Sequence, residues 1–225
     1  MWRKIEKPEA IPVRLSEGDE CYYARRYVSG GKFGASEANQ LIRNFKKPPD
    51  RRSKVEWKYK VHAIEQFAAE LGQFIERGSL CAIPGSKRRD DRAYDSRLDD
   101  VLDILSSRNR QIIVERPFEV TVSHRATHDG GERSAESFYA MLRWTGFKKK
   151  PRDVILIDDV ITTGCHFKAC QRMIQERFPR VKVYGVFWAK VFWIRVFPAS
   201  VFLRESAPAR RQRTADCVRF NRESP

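Results

Sequence analysis

The sequence predicts an α/β fold, a mostly parallel sheet flanked by helices. Three observations carry this: short, continuously apolar runs of β-type residues, intervening stretches whose apolar residues recur at three- and four-residue steps, and turn-forming residues where one gives way to the other. A continuously apolar strand is buried on both faces, and helices on either side of a parallel sheet provide that burial. With 225 residues, 41% of them hydrophobic, the chain suits one domain with embellishments better than two.

Taken in order, residues 1–52 read as irregular structure around one short helix, Glu37 to Phe45. The run Cys21-Tyr22-Tyr23-Ala24-Arg25-Arg26-Tyr27 mixes aromatic and basic residues, and Gly30-Gly31 and Lys46-Lys47-Pro48-Pro49 break periodicity. Val61, Ile64, Ala68, Leu71 and Ile75 form one apolar stripe, so Lys60 to Arg77 is an amphipathic helix stopped by Gly78. Leu80 to Ile83 is a buried strand ending at Pro84-Gly85, and Leu98, Val101, Leu102 and Leu105 mark the next helix. Gln111 to Val114 and Glu119 to Val122 are β-like, followed after Gly130-Gly131 by a helix from Glu132 to Trp144. Val154 to Ile157 is the strongest strand; a helix from Cys165 to Phe178 and a strand from Val181 to Trp188 complete the alternation.

The formal charge of +15 favours an anionic partner: nucleic acid, an acidic surface or a polyphosphorylated small molecule. Residues 191–225 hold seven Arg against three acids, a net +4, so +11 remains on residues 1–190 and the basic balance is not a tail effect. Five cysteines at positions 21, 81, 165, 170 and 217 form no CxxC pair, which argues against zinc or a disulfide framework. Charges and prolines stand where a signal peptide needs an apolar core, and Val186 to Pro198 is too short and too charged to cross a bilayer, so a cytoplasmic location and no membrane are expected.

The chemistry is concentrated in Val154-Ile155-Leu156-Ile157-Asp158-Asp159-Val160-Ile161-Thr162-Thr163-Gly164. Two acids emerge where a buried strand ends, and ligands of open parallel sheets gather at such ends. Adjacent carboxylates can accept hydrogen bonds from the vicinal diol of a ribose, or approach a divalent ion directly or through water. Thr162 and Thr163 add hydroxyls, and Gly164 lets backbone N–H groups close on a phosphate at a helix start. A diol beside a phosphate is ribose 5-phosphate. The competing readings are a Walker-B-like or receiver-like acid pair, or a solvated strand end; no G-x-x-x-x-G-K-[ST] phosphate loop accompanies it.

This run resembles the 13-residue signature of type I phosphoribosyltransferases. The resemblance covers about residues 20–190 and departs from the pattern in one place, His166 standing where Thr or Ser is usual. It implies a type I phosphoribosyltransferase-like core at 53–190, an irregular N-terminal hood at 1–52 and a basic tail at 191–225. It implies that Asp158 and Asp159 hold the ribose hydroxyls, and that Thr162, Thr163, Gly164, Cys165 and His166 cradle the 5-phosphate. The loop Ile83 to Arg89 takes the place of the family's pyrophosphate loop, with Ser86, Lys87 and Arg88 as donors. Asp158, Asp159 and Lys87 are then the catalytic candidates.

A mobile family loop falls on Val122 to Arg133, where His124, Arg125 or Arg133 would meet the departing pyrophosphate. The same resemblance implies phosphoribosyl pyrophosphate and a small-molecule acceptor as partners. It also implies Mg²⁺ held through the substrate, with Asp158 and Asp159 as its nearest protein groups, and it allows a homodimer. The N-terminal aromatic-basic run and Asn39 to Lys47 resemble the ComF-like branch more loosely. Two rivals stay open: a regulator that binds phosphoribosyl pyrophosphate or a nucleotide without turnover, and a nucleic-acid-associated accessory protein, suggested by Lys46-Lys47, Arg51-Arg52 and the Arg-rich tail.

Overall fold

Among the described residues the sheet is mixed by one short strand only. A computed structural model describes residues 1–6, 14–30, 33–124 and 134–192. In chain order these form β1 (Arg3–Lys4), β2 (Glu20–Val28), α1 (Glu37–Phe45), α2 (Trp57–Phe74), β3 (Gly78–Ala82), α3 (Arg97–Arg108), β4 (Ile112–Glu115), β5 (Phe118–Val120), α4 (Ala135–Met141), β6 (Leu142–Trp144), β7 (Asp153–Ile161), α5 (Cys165–Gln175) and β8 (Lys182–Phe192). Six strands lie in the order β1-β2-β8-β7-β3-β4, parallel except for the antiparallel β1, while β5 and β6 make a separate antiparallel ribbon. This is the mostly parallel sheet flanked by helices that the alternation of runs predicts.

Successive strand residues serve opposite faces, as the two-residue period demands. Leu80, Ile157, Val186 and Trp188 pack beneath α1, α2 and α3 with Phe45, Phe67, Leu71 and Leu102. Cys81, Leu156 and Phe187 face the other way, against α4 and α5 with Phe138, Phe167, Cys170 and Ile174. Gly185 on β8 is needed for that second face. A Cβ there would stand 2.7 Å from Cys21 Sγ and 2.8 Å from the Phe187 ring, so only glycine lets α5 settle this close to the sheet.

Two expectations are corrected. Residues 21–27 are no irregular segment: they are the middle of β2, which pairs in parallel with β8 from Glu20↔Tyr184 to Val28↔Phe192. Cys21 and Tyr23 are buried on one face, and Arg25 is held on the other by an ion pair with Glu70, whose Oε2 also accepts from Trp188 Nε1 at 2.8 Å. The second concerns Glu132 to Trp144. Among the described residues the helix spans only Ala135–Met141, and Leu142–Trp144 leaves it as β6, because pairing with Phe118–Val120 satisfies the backbone that the helix would have used. Other helix ends move by a few residues, as frayed termini do: Lys60–Arg77 becomes Trp57–Phe74, and Cys165–Phe178 becomes Cys165–Gln175.

Candidate active site

Strand β7 carries its acids to the carboxyl rim, where Asp158 sits opposite Phe187 of β8. Asp159 is 3% exposed. Such burial of a charge requires partners, and two distant elements supply them. Arg97, the first residue of α3, donates to Asp159 Oδ2 from Nε at 3.1 Å and Nη2 at 2.7 Å, while Lys46 Nζ, at the end of α1, lies 3.0 Å from Oδ1. Arg97 Nη1 also donates to Asp95 at 2.8 Å, and buried Lys60 donates to Asp95 at 2.6 Å. Burial works to raise the Asp159 carboxyl, but Lys46 and Arg97 outweigh it and hold it below the ordinary carboxylate range. Asp158 goes the other way: burial first, then the charge of Asp159, pushes it above that range.

After β7 the chain turns through Thr162 and Thr163, whose Oγ1 donates to Cys165 Sγ at 3.1 Å, into Gly164 at φ 78° and ψ 7°. That left-handed conformation is what glycine tolerates, and it starts α5 abruptly beside the strand end. His166 in the first turn of α5 stacks on Phe138 with ring centroids 3.9 Å apart. Burial, then the neighbouring His124, pushes its imidazole down to about 4, so the ring is neutral at physiological pH.

On the adjacent strand, Ile83 N–H donates to Ile157 O at 2.9 Å and carries the ladder one residue past β3. The loop that follows is braced from across the rim: His124 N–H donates to Ser86 O at 2.9 Å, Arg88 N–H to Ser123 Oγ at 3.1 Å, and Ser123 Oγ to Asp91 at 2.6 Å. Arg88's guanidinium turns to Asp90 at 2.9 Å. Among the described residues no ion pair engages Lys87, which is half-buried.

These pieces line a single cleft of about 1270 Å³: Ser86, Lys87 and Arg88 on one side, Asp158, Asp159, Thr162, Thr163 and His166 in the middle. Gly164 and Cys165 line a smaller recess with Asp158, Thr163 and His166. On the far side lie Tyr27 near the end of β2 and Ser29 and Gly30 just beyond it, with Ile42 and Arg43 of α1 and Lys46 that follows it. Asn39 fixes these two elements together, accepting from Val28 N–H and donating to Val28 O, each at 3.0 Å. His124 does not line the cleft; it reaches the site through its backbone bond to Ser86 and its ring, 6.1 Å from that of Phe138. Arg125 and Arg133, Gly31 and the tail from 193 onward lie outside the described residues.

Sequence reasoning missed Arg97 altogether and read Lys46 only as part of a basic cluster. No local signal marks either one, since their carboxylate partner lies 62 and 113 positions away in the chain. Among the described residues no three His, Cys, Asp or Glu side chains converge as a metal site, and Asp159 is already compensated by cations. Lys46 and Arg97 therefore occupy three of the positions at which Asp159 could meet a magnesium ion.

No protein-family model matches the sequence, and no curated protein matches it. Solved structures do show likeness. One is the xanthine-guanine-hypoxanthine phosphoribosyltransferase of Helicobacter pylori, 11% identical, with 59% of this chain and 86% of that one covered at a TM-score of 0.34. Another is a hypoxanthine phosphoribosyltransferase from Staphylococcus aureus, 16% identical, with 58% and 73% covered at a TM-score of 0.33. No helix among the described residues is long and apolar enough to cross a membrane.

Proposed function

We propose that the chain is a phosphoribosyltransferase that moves ribose 5-phosphate from phosphoribosyl pyrophosphate to a nucleobase or related acceptor, with Mg²⁺ entering on the substrate. The observation that carries this is the shared cleft. An acid pair, a Thr-Thr-Gly helix start and a backbone-rich loop with Lys87 stand side by side at the ends of adjacent parallel strands. A phosphorylated sugar with a diphosphate has three polar parts at matching stations: a phosphate for the first turn of α5, a diol for Asp158, and a pyrophosphate for Ser86 and Lys87.

In the reaction the C1–O bond to pyrophosphate breaks with its electron pair leaving on oxygen, the acceptor nitrogen supplies the pair for the new C1–N bond, and the proton that the acceptor nitrogen gives up passes to solvent. Leaving group and nucleophile take opposite faces of C1. With pyrophosphate on the β3 side, the acceptor belongs on the side of Tyr27, Ser29 and Arg43. Fixing the sugar lowers the orientational cost, and Lys87 stabilises charge on the leaving oxygens. Magnesium bound to the diphosphate would neutralise that group further.

The test is incubation with Mg²⁺, phosphoribosyl pyrophosphate and a panel of purines, pyrimidines and carboxylated bases, following pyrophosphate and ribosylated products by mass spectrometry. Pyrophosphate release that requires an acceptor and is lost in Asp158→Asn supports the reading. Failure to bind phosphoribosyl pyrophosphate removes it. One observation favours the regulator instead: Asp159 already accepts from Lys46 and Arg97, which leaves little of it for a sugar. Calorimetric binding without pyrophosphate release with any acceptor would select that reading.

A further inference from the structure

Asp159 has four lone-pair positions on its two oxygens. Arg97 Nε and Nη2 take the two on Oδ2, and Lys46 Nζ takes one on Oδ1. The ion pairs continue outward: Asp95 is met by Lys60 and Arg97, as Asp159 is by Lys46 and Arg97. Each cation is delivered from a braced element. Lys46 follows the last turn of α1, whose next carbonyl, Lys47 O, accepts from Lys60 Nζ at 2.6 Å, and Arg97 opens α3 between Asp95 and Asp159. The Lys46 side chain is 33% exposed and lines the cleft, so its ammonium is within reach of whatever binds there.

We propose that Lys46 and Arg97 fill, at the acid pair, the place of a divalent cation: the protein supplies fixed positive charge on the diol side and needs a metal ion only on the diphosphate side. The inference deepens the phosphoribosyl reading and rests on it for the identity of the ligand. A divalent ion approaching Asp159 would meet the ammonium head-on, and no third carboxylate, imidazole or thiolate joins the pair to hold it among the described residues. Lys46 and Arg97 are positioning residues in this scheme. They act on the sugar through the one position left open on Asp159 Oδ1, and on metal occupancy by repulsion.

The experiment is titration of the ligand-free protein with Mn²⁺, read by electron paramagnetic resonance, for the natural chain, Lys46→Met, and Lys46→Met combined with Asp159→Asn. The natural chain should bind no Mn²⁺ at millimolar concentrations, Lys46→Met should gain one site, and the double variant should lose it. In turnover, Lys46→Met should raise KM for phosphoribosyl pyrophosphate about tenfold at low Mg²⁺ and recover at high Mg²⁺. A purely structural lysine gives no such rescue. Strong Mn²⁺ binding by the natural chain that Asp159→Asn abolishes overturns the proposal, as does Lys46→Met without a gained site. If phosphoribosyl pyrophosphate gives no calorimetric signal, the functional reading fails while the Mn²⁺ titrations still decide the role of Lys46.

Discussion

Asp158 and Asp159 are neighbours with opposite electrostatic lives. Asp159 stays ionised because two cations outweigh its burial, and its stabilising contribution is complete above the ordinary carboxylate range and lost as pH falls below that range toward about 2. Removing the charge strands Arg97 and Lys46, so Asp159→Asn should cost on the order of 3 kcal/mol of stability as well as activity. Asp158 resists ionisation in the folded state, so the unfolded chain loses this proton first and stability falls as pH rises through weakly acidic values. Asp158→Asn should weaken sugar binding while blunting that fall, read from urea midpoints across the same range. That makes it the cleaner probe of function. His166 adds a third pH signature. Its folded value near 4 lies below that of the unfolded imidazole, so the unfolded chain takes up the proton first and stability drops as pH falls from about 6.5 toward 4, by at most roughly 3 kcal/mol. His166→Gln should flatten that limb in thermal melts. The acids and the Thr-Thr-Gly turn were legible because they are contiguous, whereas Arg97 and Lys46 act through a partner far along the chain.

Among elements, α1 shows what a cap contributes. Ser36 accepts from Asn39 N–H at 3.0 Å, and the helix runs Glu37–Phe45 as its sequence pattern indicates. Local chemistry sets those bounds, so they can be read locally. The pair α4 and β6 differs, since helix propensity through Trp144 yields to a ladder with β5 that no short window reveals. Strand β8 and helix α5 are coupled through Gly185. Gly185→Ala would press a methyl group against Cys21, Phe187 and Phe167, and overpacking of this kind costs about 1–3 kcal/mol. The same strain would tilt α5 and its phosphate-facing first turn, so a denaturant midpoint and the affinity for phosphoribosyl pyrophosphate should fall together in this variant. Loss of stability with unchanged affinity would place the accommodation elsewhere.

At the level of the whole molecule, the parallel core was legible from alternation alone, because apolar runs without polar breaks have few other homes. The place of β2 in it was not. Its partner β8 lies about 160 residues on, as in the pairing Tyr23↔Phe187, and Arg25 with Arg26 breaks the apolar rhythm that would have announced a strand. Pairs so distant form late. In pulse-labelled refolding, the amides of Glu20–Val28 should gain protection after those of β3 and β7; earlier protection would show that β2 docks without β8. The ribosome faces the same schedule. At about 5–20 residues per second, β2 emerges roughly ten to thirty seconds before its mate, a bare edge in a crowded tunnel exit. The arginines that disguise the segment are then its chaperones, since charge in the middle of an orphaned strand discourages pairing with a stranger until Glu70 and Trp188 arrive to claim it.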